Sequence, residues 1–169
     1  MLRDKIIRIP EVVWAPVAAG FLILITGIIV QVLGYPLLFP SLGPTAYIVA
    51  TNPKAREASF YNTLAGHFIG LGAGFLAVFL AGATKAPVVL VTHHMTFERT
   101  FASVLALALT LLGNILLKAK HPPAGATTML VSLGAFSTWK DAFVVATGVI
   151  IIAVVGEGVR FLRAGGKGR

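Results

Sequence analysis

Cysteine is absent from the 169 residues, which excludes a disulfide framework and thiolate metal sites and leaves the redox compartment open. Acidic residues are nearly as scarce: six Asp and Glu stand against 14 Lys and Arg. Only Glu157 among them falls at membrane depth in the apolar pattern, so a cation pathway lined by carboxylates is excluded. Also missing are a Gly-rich phosphate loop, a nucleophile elbow, a zinc-binding helix and any nucleic-acid motif. Enzyme chemistry therefore has no candidate constellation, and no cofactor or metal is expected. The net charge of +8 would suggest nucleic acid in a soluble chain. Here the basic residues sit in short clusters beside apolar runs, where they act as topology signals, so the expected partners are a lipid bilayer and no nucleic acid.

What is present is apolar surface. Hydrophobic residues make up 57% of the chain, charged residues 12%, and the mean hydropathy is +0.89. A soluble domain of this size cannot hide so much apolar area. Six apolar segments follow, at about Val12 to Leu33, Leu37 to Ala50, Leu64 to Ala81, Phe101 to Leu117, Pro123 to Phe136 and Ala142 to Phe161. All are expected to be helices, because lipid offers no partner to unpaired backbone groups. The first follows Arg3, Lys5 and Arg8 but is too long for the core of a cleaved signal peptide, and reads as a retained span. The second and fifth are short, at about 14 residues, and open with Pro and Gly.

The chain is an internal duplication. At an offset of 82 residues Pro40-Ser41-Leu42-Gly43-Pro44-Thr45 falls on Pro122-Pro123-Ala124-Gly125-Ala126-Thr127. Without a gap the same offset pairs Val49 with Val131, Gly66 with Gly148 and Gly74 with Gly156. The repeats span about 12–82 and 98–163 within one transmembrane domain, each with a Pro/Gly-broken segment between two smoother ones. If the broken segments cross, 11 of the 14 basic residues share one side; if they are re-entrant, the split falls to 9 against 5. The positive-inside rule thus favours six crossings with both termini cytoplasmic in the cell membrane. Three crossings per copy is an odd number, so the fold expected is an all-α membrane protein of two inverted three-helix repeats.

The broken helices then approach from opposite sides with their N-termini aimed inward. Unpaired N–H groups and a partial positive charge at each make an anion site. Candidate binding residues are Ser41, Leu42, Gly43, Thr45, His121, Pro122, Pro123, Gly125, Ala126 and Thr127, with Thr45 and Thr127 a turn into each helix. The plainer reading is that Pro, Gly and Thr only shape kinked helices packed through small residues. His121 can gate or carry a proton, or simply hold the helix entry by a hydrogen bond. His67 and Asn62 face similar directions on the third segment and are candidates for coupling or for hydrogen bonds across the bundle. Lys118 and Lys120 stand outside the second entry, where they would concentrate an anion. Glu157, three residues before Arg160, reads as half of an interfacial ion pair, with a proton-coupling carboxylate as the alternative. His93 and His94 read as solvated loop residues, with no third metal ligand at a recognisable spacing.

His121-Pro122-Pro123-Ala124-Gly125-Ala126-Thr127 resembles the signature of the HPP family of integral membrane proteins. Phe39 to Val49 is similar to the family's earlier Gly-x-Ser/Thr-Ala segment. Asn62 with Gly66-His67 resembles its Asn-x-x-Gly-Gly-His element, with Ala65 in place of the first glycine. The likeness runs from about residue 15 to 160. It implies transport, since plant chloroplast and cyanobacterial members are associated with nitrite movement. The expectation is a transporter of a small monovalent anion, nitrite or nitrate, as a homodimer or other homo-oligomer; a passive anion channel and a non-transporting scaffold or sensor are the alternatives.

Overall fold

The computed structural model describes residues 6–7, 9–34 and 38–164. They form seven helices: α1 Glu11–Val32, α2 Leu42–Thr51, α3 Phe60–Leu80, α4 Val89–Thr92, α5 Phe97–Leu116, α6 Ala124–Ser132 and α7 Trp139–Ala164. Among the described residues there is no strand. Helices α1, α3, α5 and α7 hold 20 to 26 residues and are long and apolar enough to cross a membrane. With 10 and 9 residues, α2 and α6 are shorter than the segments expected from the sequence. At 1.5 Å per residue they reach about 15 Å, half of a bilayer's roughly 30 Å hydrocarbon core. The sequence at their starts explains the shortness. Pro40, Pro122 and Pro123 cannot donate an N–H to an earlier turn, so regular helix begins only after them. Residue 37, where the second apolar segment was expected to open, lies outside the described residues.

The long helices are apolar outside and small or polar inside. On α1 the buried residues are Ala18, Leu22, Thr26 and Val30, one stripe at four-residue spacing, while Val17, Phe21, Leu24 and Ile28 are exposed. On α5 the inward stripe is Arg99, Ala102, Ser103, Ala106, Thr110 and Asn114, with Val104, Leu111, Leu112 and Ile115 outward. Such a distribution suits lipid, where small inward residues allow close helix approach and hydroxyls bond across helices. Ser103 meets Ser132 at 2.9 Å and Thr110 meets Thr128 at 2.8 Å. Caps set the starts of three long helices. The side chains of Ser59 and Thr96 accept from the N–H of Asn62 and Arg99, and Thr138 with Asp141 closes a reciprocal capping box.

Hydrogen bonds identify which segments share an end of the bundle. At one end Trp14 donates to the Ala50 carbonyl, Arg160 to Pro53, Tyr61 to Leu117, and the Asn62 amide to Lys120. Glu157, paired with Arg160, accepts from the Phe60 N–H at the same end. At the other end the Val89 N–H meets the Leu133 carbonyl, and Arg99 reaches Ser132. Helix α2 therefore ends beside the start of α1, whereas α6 begins near residues 117–121 and finishes beside the start of α5. Packing is paired across the duplication: α1 on α2 has its counterpart in α5 on α6, α2 on α7 in α6 on α3, and α1 on α7 in α5 on α3. The starts of α2 and α6, Leu42 and Ala124, stand at the offset found in the sequence.

One stripe governs how closely α6 can sit. Gly66, Gly70 and Gly74 run along one face of α3, and a Cβ on each would meet His121 Cβ at 2.6 Å, Ala124 O at 2.8 Å and Val131 Cβ at 2.7 Å. The α3 backbone is thus packed directly against α6, which brings the α6 start and the residues before it against His67 on the same helix.

Candidate functional site

The two broken helices meet through side chains. Ser41, just before α2, lies 2.7 Å from Thr127 on α6, hydroxyl to hydroxyl. Thr127 lies 2.7 Å from Nδ1 of His67, and Nε2 of His67 lies 2.9 Å from the Thr45 hydroxyl and 3.2 Å from Nε2 of His121. His121 Nδ1 reaches the Glu57 carbonyl at 2.7 Å. All five side chains are at most 1% exposed. Five separate elements, the entries to α2 and α6 and the helices α2, α3 and α6, converge on this cluster from positions up to 86 residues apart.

Donors and acceptors fix the proton positions. Glu57 offers a carbonyl, so His121 carries its proton on Nδ1 and presents a bare Nε2. The Thr45 proton goes to the Ser41 carbonyl at 3.0 Å or to His121 Nε2 at 3.3 Å, and either way its oxygen accepts from His67 Nε2–H. His67 Nδ1 is then bare and accepts from Thr127, which accepts in turn from Ser41. Every donor in the cluster has an acceptor with both imidazoles neutral. The result is a polarised chain running Ser41, Thr127, His67, His121, Glu57. One further proton has its place on His121 Nε2, where it would point at the proton of His67 across 3.2 Å. At that distance the two nitrogens are in direct contact, with no space between them as they stand.

The backbone donors expected to cradle an anion are occupied in this conformation. The N–H groups of Leu42, Gly43, Gly125 and Ala126 bond to the carbonyls of Phe39, Pro40, Pro122 and Pro123. The proline-led entries coil into tight turns, and those turns consume the donors that a helix start usually leaves free. Gly43 is exposed, with nothing near its missing Cβ, while Gly125 faces Leu107 of α5. Pro122 is exposed and Pro123 buried at the turn. Ser41, Thr45, His67, His121 and Thr127 are thus brought together, and Gly43 is not.

Asn62 lies one turn before His67 and donates to the Lys120 carbonyl at 2.8 Å, holding the entry strand that carries His121. Lys118 and Lys120 are exposed at that end. A pocket of about 400 Å³ opens beside Lys120, His121, Pro122 and Gly125 and is closed on its other side by α5. Asn114 lines it, and its Oδ1 is buried without a hydrogen-bond donor among the described residues. Phe39, two residues before Ser41, is buried and meets Phe136 edge to face with ring centroids 5.8 Å apart. Phe39 is the repeat counterpart of His121, and Val149 that of His67. The two buried histidines thus have an aromatic and an aliphatic residue as their counterparts in the duplication.

Sequence reasoning missed the closure of the cluster onto the Glu57 carbonyl and the Ser41–Thr127 contact, which joins the repeats. The broken symmetry of His121 against Phe39 was the signal for the first. Compared with curated proteins and with solved structures, the chain gives no match. The family model described as HPP, transmembrane region, matches residues 4–165. That range contains both broken helices and both buried histidines, and the chain belongs to the HPP transmembrane family.

Proposed function

We propose that this protein carries a small monovalent anion, nitrite or nitrate, across the membrane together with a proton. The observation that carries the reading is the buried His67–His121 pair between the starts of the two broken helices. A proton added at His121 leaves two N–H groups facing each other across 3.2 Å, and a monovalent anion entering as the rings part relieves that repulsion while cancelling the added charge. Proton and anion therefore enter as a neutral pair, which lowers the cost of charge at membrane depth. The orphan acceptor of Asn114 in the adjoining pocket supports entry of a protonated anion from the end that bears Lys118 and Lys120.

The topology proposed is six crossings in two inverted repeats. It is supported by the paired packing of α1, α2 and α3 with α5, α6 and α7, and by the opposite directions in which α2 and α6 run. Both termini then lie at the basic end, read as cytoplasmic. The broad apolar exterior of so small a unit favours a homodimer.

Uptake into proteoliposomes tests this. Nitrite and nitrate should enter faster than chloride, and an inward proton gradient should drive accumulation. Uptake insensitive to the gradient would turn the reading to a passive channel, and flat uptake of every anion to a scaffold. Gly125→Leu extends a side chain into the pocket beside His121, so uptake should fall by at least about tenfold while the protein still folds. His121→Ala should abolish the response to the gradient more completely than it lowers binding. An unchanged gradient response in that variant overturns the proton role.

A further inference from the structure

We infer that the end of the bundle opposite the histidine entry holds a second anion site, built around Arg99. Its role as a station on the path rests on the transport reading, whereas its chemistry does not. Arg99 lies in the first turn of α5 and is 2% exposed. Its guanidinium donates to the carbonyls of Pro87 at 3.1 Å, Ser132 at 3.1 Å and Ala86 at 2.7 Å. Among the described residues no carboxylate pairs with it. Asp141 is turned to the N–H groups of Ser137 and Thr138, and Glu98 is exposed. The positive end of α5 lies under the same side chain, so the local field has two positive sources and only carbonyl dipoles against them.

The guanidinium is also held in one plane. Gly134 has φ +88°, and a Cβ there would fall 2.6 Å from Arg99 Nη2. A residue that tolerates positive φ thus brings backbone against the guanidinium. Three of its five N–H groups are used by the carbonyls, and two remain for a ligand. The side chain lines a pocket of about 430 Å³ with Phe75, Phe79, Phe136, Trp139 and Thr84. Phe136 is also the ring that meets Phe39, two residues before Ser41 of the central cluster.

A fixed, weakly hydrated cation among aromatic edges selects by hydration. Anions that release water readily, such as nitrate, nitrite and iodide, should bind ahead of chloride, and sulfate should not bind. Trp139 stands at the rim, stacked on Phe75, and reports on occupancy. With Trp14→Phe as the background, iodide should quench Trp139 fluorescence in detergent in a saturable manner at constant ionic strength. Val78→Phe fills the pocket without touching the carbonyl partners of Arg99, and should raise the half-saturating iodide by about tenfold or more. Arg99→Gln should do the same, with Val78→Phe as the arm that survives if that variant does not fold. Strictly linear quenching in the background protein, or saturable quenching that survives Val78→Phe, overturns the site. If quenching behaves as expected while liposomes move no anion, the site stands and the transport reading fails.

Discussion

Gly70→Leu is expected to give little folded protein, and what survives should melt about 10 °C or more below the parent in detergent. A Cβ at Gly70 would lie 2.8 Å from the Ala124 carbonyl and 2.7 Å from the Thr128 hydroxyl, both closer than real Cβ contacts allow. One of these is backbone at the first residue of α6, so no rotamer change relieves it. The helix must move, and Thr128 loses its 2.8 Å bond to Thr110 as it goes. Overpacking a close interface costs about 1–3 kcal/mol before any hydrogen bond is counted. With one broken pair added, about 3 kcal/mol or more corresponds to roughly the stated shift for a chain of this length. Gly72→Leu is the control. It lies two residues along the same helix on an exposed face, with nothing within 4 Å of the missing Cβ, and should melt like the parent. Equal melting of the two variants would remove the glycine stripe from the account of how α6 is held.

That stripe was legible in the sequence, because glycines at four-residue spacing inside an apolar run have few uses besides close helix approach. The duplication was legible for the same reason, since matched Pro and Gly constrain backbone wherever they stand. The donors at the broken helix starts were misread. The sequence predicts free N–H groups there, whereas Pro40, Pro122 and Pro123 each lead a turn whose carbonyl takes the N–H three residues on. The partner of His67 was beyond reach too. Periodicity places His67 on a face of α3, but what meets that face is His121, from an irregular stretch 54 residues away. Arg99 looked like one basic residue among 14. Its isolation from carboxylates becomes visible only when α5, the 86–87 loop and the end of α6 are packed together.

The second large effect separates the cluster's chemistry from its contribution to the fold. His67→Val alone is expected to cost on the order of 2–4 kcal/mol, because the buried Thr127 hydroxyl loses its acceptor and His121 Nε2 keeps only the longer 3.3 Å contact to the Thr45 hydroxyl. His121→Phe alone should cost about 1–3 kcal/mol, with the Glu57 carbonyl left without its donor. The two together install the residue types found at the repeat counterparts of these positions, Val149 and Phe39. Thr45 keeps its bond to the Ser41 carbonyl, and His121 no longer needs a donor. The double variant should therefore melt closer to the parent than the sum of the single losses predicts, with a coupling of about 1 kcal/mol or more. Uptake should be abolished in it all the same. A folded, apolar-centred protein that still moves nitrite or nitrate with a proton gradient would show that neither histidine handles the proton. Additive losses would show that the two rings do not act as one unit.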